Sequence, residues 1–145
     1  MDDGIESLLT GQQFKKFQET FYAPVAETYG LSLLDIRVLL YLADHQEADT
    51  AGDIVHAHHW TKSHVSKSID ELIELGYLER HTDAKDRRKV HLLVQEEAKP
   101  ILKKMRAIRL QMYEALFQGI SEEEVQVIRQ VACKISANIA AMKVR

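Results

Sequence analysis

Residues 50–92 constrain this 145-residue chain more than any other stretch. A short helix opens at Thr50 and runs through Ile54 and Val55 to a turn at His58 and His59. A second helix follows with Thr61 as its N-cap, because a threonine hydroxyl accepts a bond from an orphan N–H of the first turn. Gly76 stands where a left-handed residue stops that helix. Between them Val65, Ile69, Leu72, Ile73 and Leu75 recur at helical spacing, leaving Lys62, Ser63, Ser66 and Lys67 on the other side. After Gly76 the pattern becomes extended. Two short apolar runs, residues 77–81 and 90–94, flank a polar loop carrying Lys85, Arg87, Arg88 and Lys89, which is the pattern of a hairpin. One helix face is apolar and docks; the other, with the hairpin tip, stays polar and cationic. The order is a helix-turn-helix followed by a wing.

Small and polar side chains at the front of the second helix suit a helix lying in the major groove of DNA, where they reach base edges. Thr61, Lys62, Ser63, His64, Ser66 and Lys67 are therefore the expected recognition-helix contacts. A hairpin tip with Lys85, Asp86, Arg87, Arg88 and Lys89 fits the minor groove, whose negative potential attracts arginine. Arg88 is the expected groove residue, with Arg87 and Lys85 on phosphate. Asp83 and Asp86 are expected to brace the arginines by charge-assisted hydrogen bonds, which lowers the rotamer entropy still to be lost on binding.

With these residues in hand, the segment from about Leu31 to about Leu102 resembles the winged helix-turn-helix of the MarR family of bacterial transcriptional regulators. The wing from Asp83 to Leu92 resembles the family's signature, in which an aspartate is followed two residues later by an arginine, here Asp86 and Arg88. The run Lys62-Ser63-His64-Val65-Ser66-Lys67 is similar to the family's recognition helix. Three departures stand out. His58 and His59 replace an apolar residue and a glycine, His64 replaces a small residue such as threonine, and Gln95 and Ala98 replace the Thr and Gly that follow the wing. Histidine tolerates a positive φ better than most non-glycine residues, so His59 can hold the turn at some strain.

The resemblance implies a mainly α fold with a small β-hairpin wing, and a homodimer built from interleaved N- and C-terminal helices. Residues 1–30 then form an N-terminal dimerisation helix, 31–98 the DNA-binding core and 99–145 the C-terminal dimerisation helices, in one compact unit. It also implies a small-molecule effector pocket between the dimer helices and the core, for which Tyr22, Tyr29, Tyr41 and Met105 are candidates. The partners are double-stranded DNA, a second copy and a small-molecule effector. A two-fold dimer predicts a pseudo-palindromic operator with half-sites about 10 base pairs apart.

The flanks read as helices on their own pattern. Ile5, Leu8, Leu9, Phe14, Phe17, Phe21, Tyr22 and Val25 mark one N-terminal amphipathic helix ending between Pro24 and Gly30. Ser32 with Asp35 reads as a capping box for the next, through Leu33, Ile36, Leu39, Leu40 and Leu42. Beyond the wing, Ile101, Leu102, Met105, Ile108, Met112 and Leu116 define a long helix with Pro100 in its first turn and Gly119 at its end. Ser121 and Glu124 cap the last helix, whose Val125, Ile128, Ala132, Ile135, Ile139 and Met142 have the spacing of a packing seam. A monomer either leaves that seam wet or folds it back on its own core.

Net charge is −3, with a pI of about 6.2, which excludes a general nucleic-acid coat. The acidic residues crowd the ends while the wing is locally basic, and over a Debye length of about 8 to 10 Å the local field governs. The chain is expected in the cytoplasm, with no membrane span and no signal peptide. Cys133, the single cysteine, is expected as a buried structural thiol on the packing face of the last helix. His56, His58, His59 and His64 lack the cysteine or nearby carboxylate that would complete a tetrahedral metal set, so no metal or cofactor is expected. Trp60 is expected as a core plug under the turn. Neither a phosphate loop nor a nucleophile elbow occurs, and the chain is not expected to be an enzyme. The alternative is a winged helix that docks a protein partner without DNA, whose mark would be an acidic or apolar wing.

Overall fold

The computed structural model describes residues 3–143. The chain divides into two compact units, residues 1–110 and 111–145. In chain order the elements are α1 (Asp3–Thr10), α2 (Gln12–Tyr29), α3 (Leu33–Asp44), α4 (Ala51–His58), α5 (Lys62–Glu74), β1 (Leu78–Thr82), β2 (Val90–Val94), α6 (Lys99–Leu116) and α7 (Glu122–Lys143), with one 3-10 turn, Glu96–Ala98, leading into α6. The units divide within α6.

The N-terminal stretch is two helices where the apolar pattern predicts one. Gly11 takes φ +69°, a left-handed conformation that ends α1 before α2 begins. Apolar periodicity runs across such a break, so the pattern alone conceals it. Pro24 lies inside α2, and Gly30, also left-handed, closes that helix.

In the first unit the predicted caps organise the winged core. Ser32 and Asp35 exchange backbone and side-chain hydrogen bonds at the start of α3, and Thr50 and Asp53 do the same at α4. Thr61 Oγ1 accepts from His64 N–H at the start of α5. Gly76 ends that helix with φ +83°. Its own N–H donates to Ile73 C=O, and Tyr77 N–H to Leu72 C=O, a Schellman closure that turns the chain into β1. β1 and β2 pair antiparallel, Leu78 opposite Val94 and Thr82 opposite Val90.

Ile36, Val38 and Leu39 from α3, Ile54 from α4, Val65 and Leu72 from α5, and Ile101 and Met105 from α6 are essentially solvent-free. Each such side chain stabilises the fold by about 1.5 to 3 kcal/mol relative to leaving it exposed. The one buried carboxylate among the described residues, Asp35, accepts from Ser68 Oγ of α5 as well as from Ser32 N–H. This bond fixes the rotation of α5 on α3, and so decides which residues of α5 face outward.

In the second unit Ser121 and Glu124 form the expected capping box, with Ser121 N–H donating to Glu124 at 2.8 Å and Glu124 N–H to Ser121 Oγ at 3.1 Å. Val125 is buried, but Ile128, Ile139 and Met142 of the same stripe are exposed. Cys133 is exposed too, contrary to expectation, because the stripe it borders on α7 is largely uncovered in the single chain. Among the described residues no helix is long and apolar enough to cross a membrane.

Candidate nucleic-acid interface

Helix geometry separates the two sides of α5. Val65, Ser68, Ile69 and Leu72 are buried, while Thr61, Lys62, Ser63, His64, Ser66 and Lys67 are all exposed at the N-terminal end. Lys62 with Ser66, and Ser63 with Lys67, are four residues apart, so these side chains lie in adjacent rows on one surface. The cap leaves the remaining first-turn N–H groups open, and the positive end of the helix dipole adds to the two lysines.

The wing tip is a tightly bonded turn. Asp83 accepts from Lys85 N–H at 2.8 Å and from Asp86 N–H at 2.9 Å. Asp86 in turn accepts from Arg88 N–H at 3.1 Å and from Arg88 Nε at 3.3 Å. Arg88 is thus aimed by Asp86 while its side chain stays 92% exposed. Lys85, Arg87 and Lys89 are exposed around it. The bracing role expected for both aspartates belongs to Asp86 alone. Among the described residues Asp83 pairs with no arginine; it organises the loop backbone and binds His91 Nε2 at 2.8 Å.

His91 and Asp49 carry a part of the site that sequence reasoning missed. His91 Nδ1 lies 2.7 Å from Asp49, so one imidazole joins two carboxylates. Beside it, Leu92 N–H donates to Asp49 C=O at 3.0 Å, which ties β2 to the residue before the Thr50 cap. Hydrogen bonds to Asp49 and then to Asp83 raise the His91 pKa. The Asp83 carboxyl falls to about 2, chiefly through the His91 bond and then through the two loop N–H groups. Arg80 of β1 also pairs with Asp70 of α5, a second link between the hairpin and the helix-turn-helix.

The turn between α4 and α5 is held by His59 at φ +54°, as the sequence suggests, the one described non-glycine residue with positive φ. Trp60 is half-buried, not a core plug. Its indole stacks on the His58 ring at 4.3 Å, and His58 meets the Tyr41 ring edge-on at 5.4 Å. Desolvation in this stack lowers the His58 pKa, with smaller contributions from His45 and Arg37.

Those rings line a cleft of about 390 Å³ whose walls include Tyr22, Arg37, Tyr41, His45, His58, Trp60 and Arg109. Burial pushes the Tyr22 and Tyr41 phenols above their ordinary range. Of the four candidate pocket residues, Tyr22 and Tyr41 meet here. Tyr29 lies outside the lining, with Lys104 Nζ 5.2 Å over its ring, and Met105 is wholly buried in the packed core. An apolar residue on an amphipathic helix packs inward wherever it can, which places Met105 in the core instead of on a cleft wall. A larger cleft, about 780 Å³, lies between α3, β2 and α6.

A model of the MarR family matches residues 29–89, from the end of α2 to the wing. Among solved structures the chain is similar to transcriptional regulator PA3341, at 25% identity over 92% of this chain and 97% of that one, with a TM-score of 0.81. It is similar in fold to a MarR protein from Peptoclostridium difficile DA00132, at 18% identity over 100% and 94% of the two chains and a TM-score of 0.79. S. aureus MepR, in a complex with DNA, matches in fold at 21% identity over 89% and 96%, with a TM-score of 0.60. With the MarR family's model on the helix-turn-helix and wing, and the fold of transcriptional regulator PA3341 matched over nearly the whole length, the chain is similar to the MarR family of winged-helix transcriptional regulators.

Proposed function

We propose that the protein is a homodimeric repressor that binds a pseudo-palindromic operator in the cytoplasm and releases it when a small molecule binds. The observation that carries this reading is the pairing of two exposed surfaces: the polar row Lys62, Ser63, His64, Ser66 and Lys67 on α5, and a wing whose Arg88 is held by Asp86 yet open to solvent. The α5 row reads base edges in the major groove while Arg88 enters the adjacent minor groove. Lys85, Arg87 and Lys89 take phosphates. MepR, of the same fold, binds DNA, which supports this use of the scaffold.

Residues 31–98 serve as the DNA-binding core, and the helices of 1–30 and 99–145 join two copies. The exposed apolar residues of α7, Ile128, Val131 and Ile139 among them, are the surface a second copy would cover. The cleft around Tyr22 and Tyr41 is the effector site. Its volume falls within the range of small-molecule pockets, and its Arg37 suits an anionic group, while Arg109 is paired with Asp44 of the same lining at 2.8 Å. An effector that prefers the released dimer by about 2.7 kcal/mol lowers DNA affinity about a hundredfold.

Fluorescence anisotropy on DNA from the protein's own upstream region, over a salt series, tests the groove assignments. Arg88→Ala is expected to cost about 1 to 3 kcal/mol and relax the sequence preference; Lys85→Ala, which removes a phosphate contact, is expected to lower the salt slope by about 1. Variants that bind like the wild type would overturn the assignments.

A further inference from the structure

Both ring nitrogens of His91 face carboxylate oxygens, Nδ1 at 2.7 Å from Asp49 and Nε2 at 2.8 Å from Asp83. A neutral imidazole carries only one N–H, so both contacts are hydrogen bonds only in the cation. In the neutral form one nitrogen lone pair would face a carboxylate lone pair, and one contact must open. All three side chains are substantially withdrawn from water, at 31%, 16% and 27% exposure for His91, Asp49 and Asp83.

The contacts run in a line. Asp49 immediately precedes the Thr50 cap of α4, and its C=O holds β2 through Leu92 N–H. Asp83 gathers the loop N–H groups of Lys85 and Asp86, and Asp86 holds Arg88. From the front of the helix-turn-helix to the groove arginine, His91 is the one histidine in this line.

We propose that His91, as an imidazolium, is the residue that positions the wing against the helix-turn-helix, so that delivery of Arg88 to DNA weakens as His91 loses its proton. The proposal rests on the DNA-binding reading above. Deprotonation acts twice. It frees the wing loop from Asp49, and it changes the cluster from one net negative charge to two beside the phosphate backbone. The other ionisable groups at this place are His81, the cross-strand partner of His91, and Glu79, which holds His81 at 2.8 Å. A protonated His81 would repel the His91 cation, and Glu79 offsets that repulsion.

The sign follows from the direction of the shift. A histidine whose folded pKa lies above its ordinary value of 6.5 contributes in full below that value. The contribution is lost as pH rises through the folded pKa.

The test combines NMR titration of the His91 ring, protection factors for the amides of 83–90, and anisotropy on a duplex that the wild type selects from random DNA. Affinities are compared at each pH between the wild type and His91→Gln, so that every other group common to the two cancels. The His91 ring is expected to titrate above 6.5, and to move back toward it in Asp49→Asn and Asp83→Asn. Wing protection is expected to drop across the same titration. Affinity is expected to fall about tenfold between about pH 6 and about pH 8.5, while His91→Gln binds at the weaker level throughout. A His91 ring titrating at or below 6.5, or affinity flat with pH despite a titrating clamp, overturns the proposal. Should the wild type select no duplex at all, the DNA-binding reading fails, and the NMR arm alone decides whether His91 positions the wing.

Discussion

Asp35 and Ser68 show how a single hydrogen bond sets which face of α5 points outward. A buried carboxylate is tolerated only when its lone pairs are met, and Ser68 Oγ meets one of them from across the α3–α5 contact. Removing the hydroxyl leaves Asp35 with its capping bond alone. Ser68→Ala is expected to lower unfolding stability by about 1 to 3 kcal/mol in urea titration. An unchanged midpoint would mean that water replaces the hydroxyl. Contacts of this kind were invisible in the sequence: Asp35 and Ser68 are 33 positions apart, and His91 and Asp49 are 42 apart. Asp86 and Arg88, two residues apart, were legible because their geometry is local.

At the level of elements, the legible features were those with local causes. Ser32 with Asp35, Thr50, Thr61, Gly76 and Ser121 with Glu124 all cap where the sequence places them, since a cap is a bond between near neighbours. The break at Gly11 is not legible in the sequence because apolar spacing continues through it. The turn before α5 shows the same logic under strain. A side chain held at φ +54° costs about 1 kcal/mol that glycine would not, so His59→Gly is expected to raise stability by up to about 1 kcal/mol, and His59→Val to lower it. Thermal unfolding of the two variants checks this. Equal melting temperatures would show that the turn relaxes freely.

On the scale of the whole molecule, the apolar stripe of α7 is the feature that a single chain leaves unexplained. The sequence marks the stripe at intervals of three and four residues but does not say what covers it, and for that reason Cys133 is exposed where the pattern predicts burial. If a second copy covers it, Ile128→Asp places a carboxylate in an apolar contact, and sedimentation is expected to show monomers at concentrations where the wild type is dimeric. A dimer unaffected by that change would move the contact to another surface.

Dimer and DNA reading meet in the spacing of the operator. Hydroxyl-radical footprinting of the genomic fragment that the protein selects tests the central claim most directly. Two protected half-sites, related by a dyad and about 10 base pairs apart with minor-groove protection outside each, are the predicted result. A single unpaired footprint, or no fragment preferred over random DNA, would contradict the account.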